Sequence, residues 1–226
     1  MTERFAIAVP AYDAAATVAG VVRRAHAICP DVLVVDDGSA DGTGDAARAA
    51  GARVLVHDRN LGKGRALRTA FGRLFGDGFD AVITMDADAQ HPPEEATKLV
   101  AAWHAGADLV LGTRHHLFEL MGVVRRASNA SSSWIISKVA GAELPDCQTG
   151  YRLYTRRLVE TLGFPEPRFE AESAVLVRAV RNGFLVVGVP VRLDEPDGRA
   201  TSHYRPIVDS LRIAGAVTRA RVEARS

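Results

Sequence analysis

Five short apolar runs in the first half of the chain, alternating with amphipathic segments, constrain the fold more than any other feature. FAIAV (5–9), VLVVDD (32–37), RVLVHD (53–58), DAVITMDAD (80–88) and DLVLGTR (108–114) have the length and branched side chains of buried strands. Helical patterns run between them over 14–28, from 41–43 to 50, over 63–75 and over 93–106, the last with proline in its first turn. Strands alternating with helices of about 10–15 residues predict an α/β fold, a mostly parallel sheet with helices on both faces. Crossovers in such a sheet are right-handed by default.

The second half is less regular. Residues 115–122 read as a loop, 123–140 as a helix, 151–156 as a short strand, 169–183 as a helix ending in Gly183 and 184–193 as a strand. A polar, punctuated stretch over 195–206 precedes a tail with helical spacing and arginines along one side. With no internal repeat and no linker, 226 residues suit one domain.

A formal net charge of +1 excludes a strongly basic nucleic-acid binder, so no nucleic-acid partner is expected. Cys29 and Cys147 fit neither a metal-ligand nor a disulfide spacing, which suits a reducing compartment. The N-terminal MTERFAIAVPAY is too short in its apolar part for a signal peptide, and no run reaches the roughly 18 apolar residues of a membrane span. The expectation is a cytoplasmic protein, at most peripheral to the inner face of the membrane.

Open sheets of this kind bind ligands beyond the carboxyl ends of their strands. There the sequence is acidic. Asp36 and Asp37 end the second strand, Asp58 the third, Asp86 and Asp88 the fourth, while Pro10, Tyr12 and Asp13 follow the first. Two carboxylates one residue apart are either solvated turn acids ahead of the helix at Pro92, or they share a cation. Mg²⁺ or Mn²⁺ takes hard oxygen ligands, one or two carboxylates plus substrate phosphates, and Gln90 offers a further carbonyl. Asp86 has another possible role in gripping a ribose hydroxyl. NLGKGRAL (60–67) is a glycine-punctuated loop that lets backbone amides and Lys63 approach phosphates. Neither GxxxxGK[ST] nor GxGxxG occurs, which sets aside P-loop and dinucleotide readings.

PAYD (10–13), VVDDGSADGT (34–43), NLGKGRAL (60–67), DADAQHPPE (86–94), GTR (112–114), DCQTGYRLY (146–154) and FEAE (169–172) occur in that order. Together they resemble family 2 glycosyltransferases of the GT-A fold, above all the polyprenyl-phosphate hexosyltransferases of the dolichyl-phosphate mannose synthase type. The resemblance spans about residues 5–205. It implies a GDP- or UDP-hexose donor, a divalent metal (Mg²⁺ or Mn²⁺), and inversion at the anomeric carbon. It divides the chain into a nucleotide-sugar half (1–114) and an acceptor half (115–226).

Carried over position by position, the resemblance puts Pro10, Ala11, Tyr12, Asp13 and Asp37 at the nucleoside pocket, with Asp36 and Lys63 in the same donor site. Asp86 and Ala87 fall beside the ribose and diphosphate, and Asp88 and Gln90 on the metal. Asp86 and Asp88 thus rank with Arg114 and Arg126, assigned to the acceptor phosphate, as the catalytic set. Gly150, Tyr151 and Arg152 would shape the sugar pocket, with Glu170 and Glu172 nearby. RATSH (199–203) matches a lid in which Ser202 fits and His203 replaces the usual lysine; Ala14 stands where glutamate is usual.

A phosphate monoester is largely dianionic at neutral pH and needs cationic positioning rather than a base. Arg114, Arg125 and Arg126 suit that acceptor, since guanidinium grips phosphate bidentately. LFELMG (117–122), with Trp134, Ile135 and Lys138, suits contact with the headgroup region of a membrane, or else a core helix or a dimer interface. Three rival readings stand beside this one. The first is transfer to a soluble hydroxyl acceptor or growing glycan, with Asp146, Glu170 or Glu172 as base; the others are a sugar nucleotidyltransferase and an idle sugar-nucleotide sensor.

Overall fold

A computed structural model of the chain describes residues 3–113, 133–144, 146–194 and 206–223. Its centre is a seven-stranded sheet, β1 (Phe5–Ala11), β2 (Val32–Asp36), β3 (Arg53–Val56), β4 (Ala81–Thr84), β5 (Leu109–Thr113), β6 (Arg152–Thr155) and β7 (Val186–Pro190). The spatial order is β3-β2-β1-β4-β6-β5-β7. The helices are α1 (Val18–His26), α2 (Thr43–Ala49), α3 (Lys63–Gly76), α4 (Ala96–His104), α5 (described over 133–140), α6 (Arg156–Leu162), α7 (Glu170–Arg181) and α8 (Pro206–Glu223).

Strand periodicity explains the layering, because successive side chains of a strand face opposite ways. On β1, Ala6 and Ala8 pack into a core with α3, α5, α7 and α8, which supply Leu67, Phe71, Ile136, Val175 and Val217. Ile7 and Val9 face the other core, built with α1, α2 and α4 through Val18, Val22, Ala47, Leu99 and Trp103. β2 and β4 are buried along their whole length, as strands covered on both faces must be, whereas β3 at the sheet edge is not.

The chain builds outward from β1 through β2 to β3, then returns to lay β4 on the other side of β1. The order therefore reverses between β1 and β4, the switch point at which such sheets open a crevice. One strand departs from the parallel pattern. β6 runs antiparallel between β4 and β5, with Thr84 opposite Arg152 and Val110 opposite Leu153. Its inverted direction brings Gly150 and Tyr151, at its start, to the carboxyl end of β4.

Several boundaries differ from the sequence expectation. β4 stops at Thr84, so the Asp86–Asp88 pair lies in the turn beyond the strand rather than at its last rungs. The helix expected over 93–106 begins as a 3-10 turn, Pro93–Glu95, and turns α-helical only at Ala96. The helix α6 is not apparent in the sequence pattern at all. It follows β6 with no breaker between, and its start is marked only by Thr155, whose hydroxyl accepts from the Leu158 amide as an N-cap. The loop 115–122, the first part of the helix expected over 123–140 and the lid over 199–203 lie outside the described residues.

Candidate active site

The tip of β4 organises the site. Thr84, the last strand residue, donates its hydroxyl to the Gly150 carbonyl at 3.0 Å, and the Met85 amide donates to the Ala8 carbonyl at 3.1 Å. The chain then turns sharply. Ala89 takes φ +61°, and the Gln90 amide folds back to donate to Asp88 Oδ1 at 3.0 Å. This puts the Asp88 carboxylate and the Gln90 side chain on one tight turn. The turn is braced from outside by the Asp194 amide, which donates to the Gln90 carbonyl at 3.0 Å. Arg24 on α1 in turn pairs with both Asp194 and Glu94. Beneath it, Tyr151 is fully buried, its hydroxyl hydrogen shared by the Pro92 and Pro93 carbonyls at 3.3 Å. Burial, with Glu95 and Glu94 adding to it, pushes the Tyr151 phenol well above its ordinary range, so it stays protonated.

Asp86 is held on two sides. A Cβ on Gly150 would lie 2.3 Å from Asp86 Oδ2, so the carboxylate rests directly on glycine backbone. On the other side Lys63 Nζ sits 2.7 Å from Asp86 Oδ1 and 2.8 Å from Glu172 Oε2. Burial works against the Lys63 charge, but the two carboxylates outweigh it and hold the ammonium above its usual range. Glu172 and Glu170 stand in the first turn of α7, where the helix dipole favours negative charge. Both are buried, and Glu170 Oε2 has no hydrogen-bond partner among the described residues.

The two acids ending β2 are both buried and both hold backbone. Asp36 Oδ1 accepts from the Ser39 amide at 2.9 Å. Asp37 accepts from the Leu61 and Gly62 amides at 3.0 and 2.7 Å, and from His57 Nδ1 at 2.6 Å. The other ring nitrogen, His57 Nε2, lies 3.0 Å from the Thr69 hydroxyl. Asp37 thus ties the end of β2 to the loop that delivers Lys63.

Beyond β1, Asp13 takes φ +48° and its amide donates to the Ser39 hydroxyl, while the Ala40 amide donates to Asp13 Oδ1. The Ala14 amide donates to the Thr43 hydroxyl at 2.8 Å. These bonds fasten the YDAA turn to the loop after β2, so Pro10, Ala11, Tyr12 and Asp13 share one rim with Asp36. The negative charge of Asp13, with some burial, holds the Tyr12 phenol above its ordinary range.

Arg152 is buried in the wall. Its Nε, Nη1 and Nη2 donate to the Thr149, Glu172 and Cys147 carbonyls at 2.7–2.8 Å. It fixes the turn ahead of β6 against α7. Asp146 is also buried, with Oδ1 accepting from the Gln148 amide. Of the residues singled out in the sequence, the structure gathers Asp86, Lys63, Gly150 and Glu172 into one contact group, and Asp88 with Gln90 on the adjoining turn. Asp58 follows β3 at the sheet edge. Arg114, Arg125, Arg126, Ser202 and His203 lie outside the described residues. His57 and the brace through Arg24 and Asp194 escaped sequence reasoning. A histidine behind a loop leaves no local pattern, and the brace joins residues 170 positions apart.

No three His, Cys, Asp or Glu side chains converge among the described residues as a ready-made metal cage. A two-ligand site needs none. Mg²⁺ and Mn²⁺ take a carboxylate and a carbonyl oxygen from the protein and complete their shell with water and phosphate. Asp88 supplies the carboxylate, and Gln90, two residues on in the same turn, carries a side-chain carbonyl, the donor types of that set.

Residues 6–163 match the profile of the family described as glycosyl transferase family 2. The chain is 34% identical over 215 residues to the polyprenol monophosphomannose synthase of Mycolicibacterium smegmatis, covering 86% of this chain and 78% of that one. It is 28% identical over 172 residues to the undecaprenyl-phosphate 4-deoxy-4-formamido-L-arabinose transferase of Yersinia enterocolitica, covering 71% of this chain and 51% of the relative. Among solved structures, glucosyl-3-phosphoglycerate synthase from Mycobacterium tuberculosis, in complex with Mn²⁺, UDP and phosphoglyceric acid, has a TM-score of 0.75. That match covers 97% of this chain and 78% of the other at 19% identity, a likeness of fold, and the fold is of the GT-A type.

Proposed function

The chain belongs to glycosyl transferase family 2, and from that premise we propose that it moves a hexose from a nucleotide-diphosphate sugar to polyprenyl phosphate, inverting the anomeric carbon. The observation that carries the reading is the β4 tip. Asp88 and Gln90 share one turn, Asp86 is fixed beside them, and all lie where the strand order reverses. The likeness to a polyprenol monophosphomannose synthase supports the acceptor class.

In this reading the rim of Pro10, Ala11, Tyr12, Asp13 and Asp36 receives the nucleoside of a GDP- or UDP-sugar. Asp88 and Gln90 hold a divalent cation, Mg²⁺ or Mn²⁺. Such an ion, when bound, neutralises charge on a departing diphosphate. An acceptor phosphate oxygen attacks the anomeric carbon from the face opposite the diphosphate. As the new C–O bond forms, the old one breaks, and its electron pair leaves with the nucleoside diphosphate. No proton has to be removed, because the phosphate monoester is already largely dianionic. Its orientation falls to Arg114 and Arg126, the guanidinium groups the sequence places after β5.

A hydroxyl acceptor would instead require a base. Glu170, buried and with one oxygen unpartnered among the described residues, is the group that reading would use. Glu170→Gln separates the two: it leaves transfer to a phosphate acceptor in place and abolishes transfer to an alcohol.

The test of the proposal is Asp88→Ala assayed with polyprenyl phosphate, a nucleotide sugar and Mg²⁺ or Mn²⁺. Loss of a metal ligand that supplies several kcal/mol of charge stabilisation lowers turnover by about a hundredfold or more, with an unchanged circular dichroism spectrum. Wild-type rates from this variant would refute the metal role.

A further inference from the structure

We propose that Lys63 is a positioning residue, a fixed ammonium that clamps Asp86 to Glu172 and stays in that clamp when a nucleoside diphosphate binds. The inference rests on the reading of the β4 tip as the donor site, and it gives Lys63 a role other than gripping phosphate.

Three observations carry it. The Lys63 backbone is overdetermined. Asp37 binds the two amides just before it, and Gly62 takes φ +99°. Hypothetical Cβ atoms on Gly62 and Gly64 would lie 2.6 and 2.2 Å from the Pro167 and Glu166 carbonyl oxygens, so the loop lies flush against segment 166–168. The Lys63 side chain is itself largely buried, with both carboxylates within hydrogen-bond distance of one nitrogen.

The electrostatics favour keeping it there. Asp86 and Glu172 both lie within hydrogen-bond distance of that nitrogen; among the described residues Arg152 is the other cation near Glu172, its Nε 4.0 Å from Oε1 and already donating to the Thr149 carbonyl. Moving the ammonium onto a phosphate would separate it from two carboxylates at once, one of them the nearly buried Glu172. Finally, Gly150 closes the far side of Asp86. Between glycine backbone and Lys63, the Asp86 carboxylate is held at the crevice, and its charge is compensated where an anionic diphosphate must approach.

The experiment is a double-mutant cycle of Lys63→Met and Asp86→Asn, read by melting temperature, with GDP and UDP binding measured by calorimetry in Mg²⁺. The clamp predicts non-additive melting losses, the double variant losing less than the two single losses combined. It also predicts that Lys63→Met binds the nucleoside diphosphate within about threefold of wild type while hexose transfer falls about tenfold or more, with Lys63→Arg in between. Additive melting losses would overturn the clamp. So would a loss of nucleoside-diphosphate affinity of about tenfold or more in a Lys63→Met protein that melts like wild type, the mark of a phosphate ligand. If Lys63→Met does not fold, Lys63→Gln with Asp86→Asn closes the same cycle. A wild-type protein that transfers nothing from any nucleotide sugar would overturn the proposed function instead, and the melting cycle alone would then decide the clamp.

Discussion

Gly150 constrains the site at the scale of single residues. It has no side chain because the space is filled by the Asp86 carboxylate, 2.3 Å from where a Cβ would stand. Gly150→Ala must displace either Asp86 or the start of β6. Overpacking of this kind costs about 1–3 kcal/mol, and because it moves a site carboxylate we expect transfer to fall by about tenfold or more. Steady-state rates and a melting curve check both parts; an alanine variant with wild-type turnover would show that the placement of Asp86 does not matter. The sequence made Asp86, Asp88 and Gln90 visible because they sit in one short stretch with an unusual pairing of like charges. The contacts of Asp86 were not legible. Gly150 and Glu172 lie 64 and 86 positions further on, and a partner at that separation leaves no periodic trace. Asp37 shows the same limit. An acid at a strand end reads as a ligand group, while its burial and its hold on Leu61 and Gly62 emerge only when the loop after β3 is placed against β2.

Among elements, periodicity located the seven strands and most helices, because each buries a face against the same two cores. It failed where local and tertiary preferences diverge. The direction of β6 is set by its neighbours β4 and β5, not by its own residues, and α6 begins where the strand pattern has barely ended. The helix α5 carries a different signal. Ile136 and Ala140 are buried in the core, yet Trp134 is 63% and Ile135 48% exposed, with Lys138 Nζ 6.0 Å from the Trp134 ring centroid. An aromatic, an aliphatic and a cation side by side suit a lipid headgroup region, where the indole straddles the interface and a basic residue near an anionic leaflet contributes about 1 kcal/mol. No helix among the described residues is long and apolar enough to cross a membrane. Trp134→Ser with Ile135→Ser is expected to weaken co-sedimentation with anionic phospholipid vesicles about fivefold or more, without lowering the melting temperature. Unchanged sedimentation would assign the patch to a protein partner or to none.

For the molecule as a whole, the reversal of strand order between β1 and β4 decides where chemistry can occur. It sets the Tyr12–Asp13 turn beside the Asp86–Gln90 turn, and the antiparallel β6 adds Gly150 from a distant part of the chain. Alternating strands and helices make this architecture legible in the sequence, since few sheets satisfy that pattern. In the proposed function the β4 turn receives a cation and the donor diphosphate together. Crystals grown with a nucleoside diphosphate and Mn²⁺, measured above the manganese absorption edge, test it directly. An anomalous peak is expected between the Asp88 carboxylate, the Gln90 side chain and the diphosphate; a diphosphate bound elsewhere, with no manganese at that turn, would rule out a cation site there.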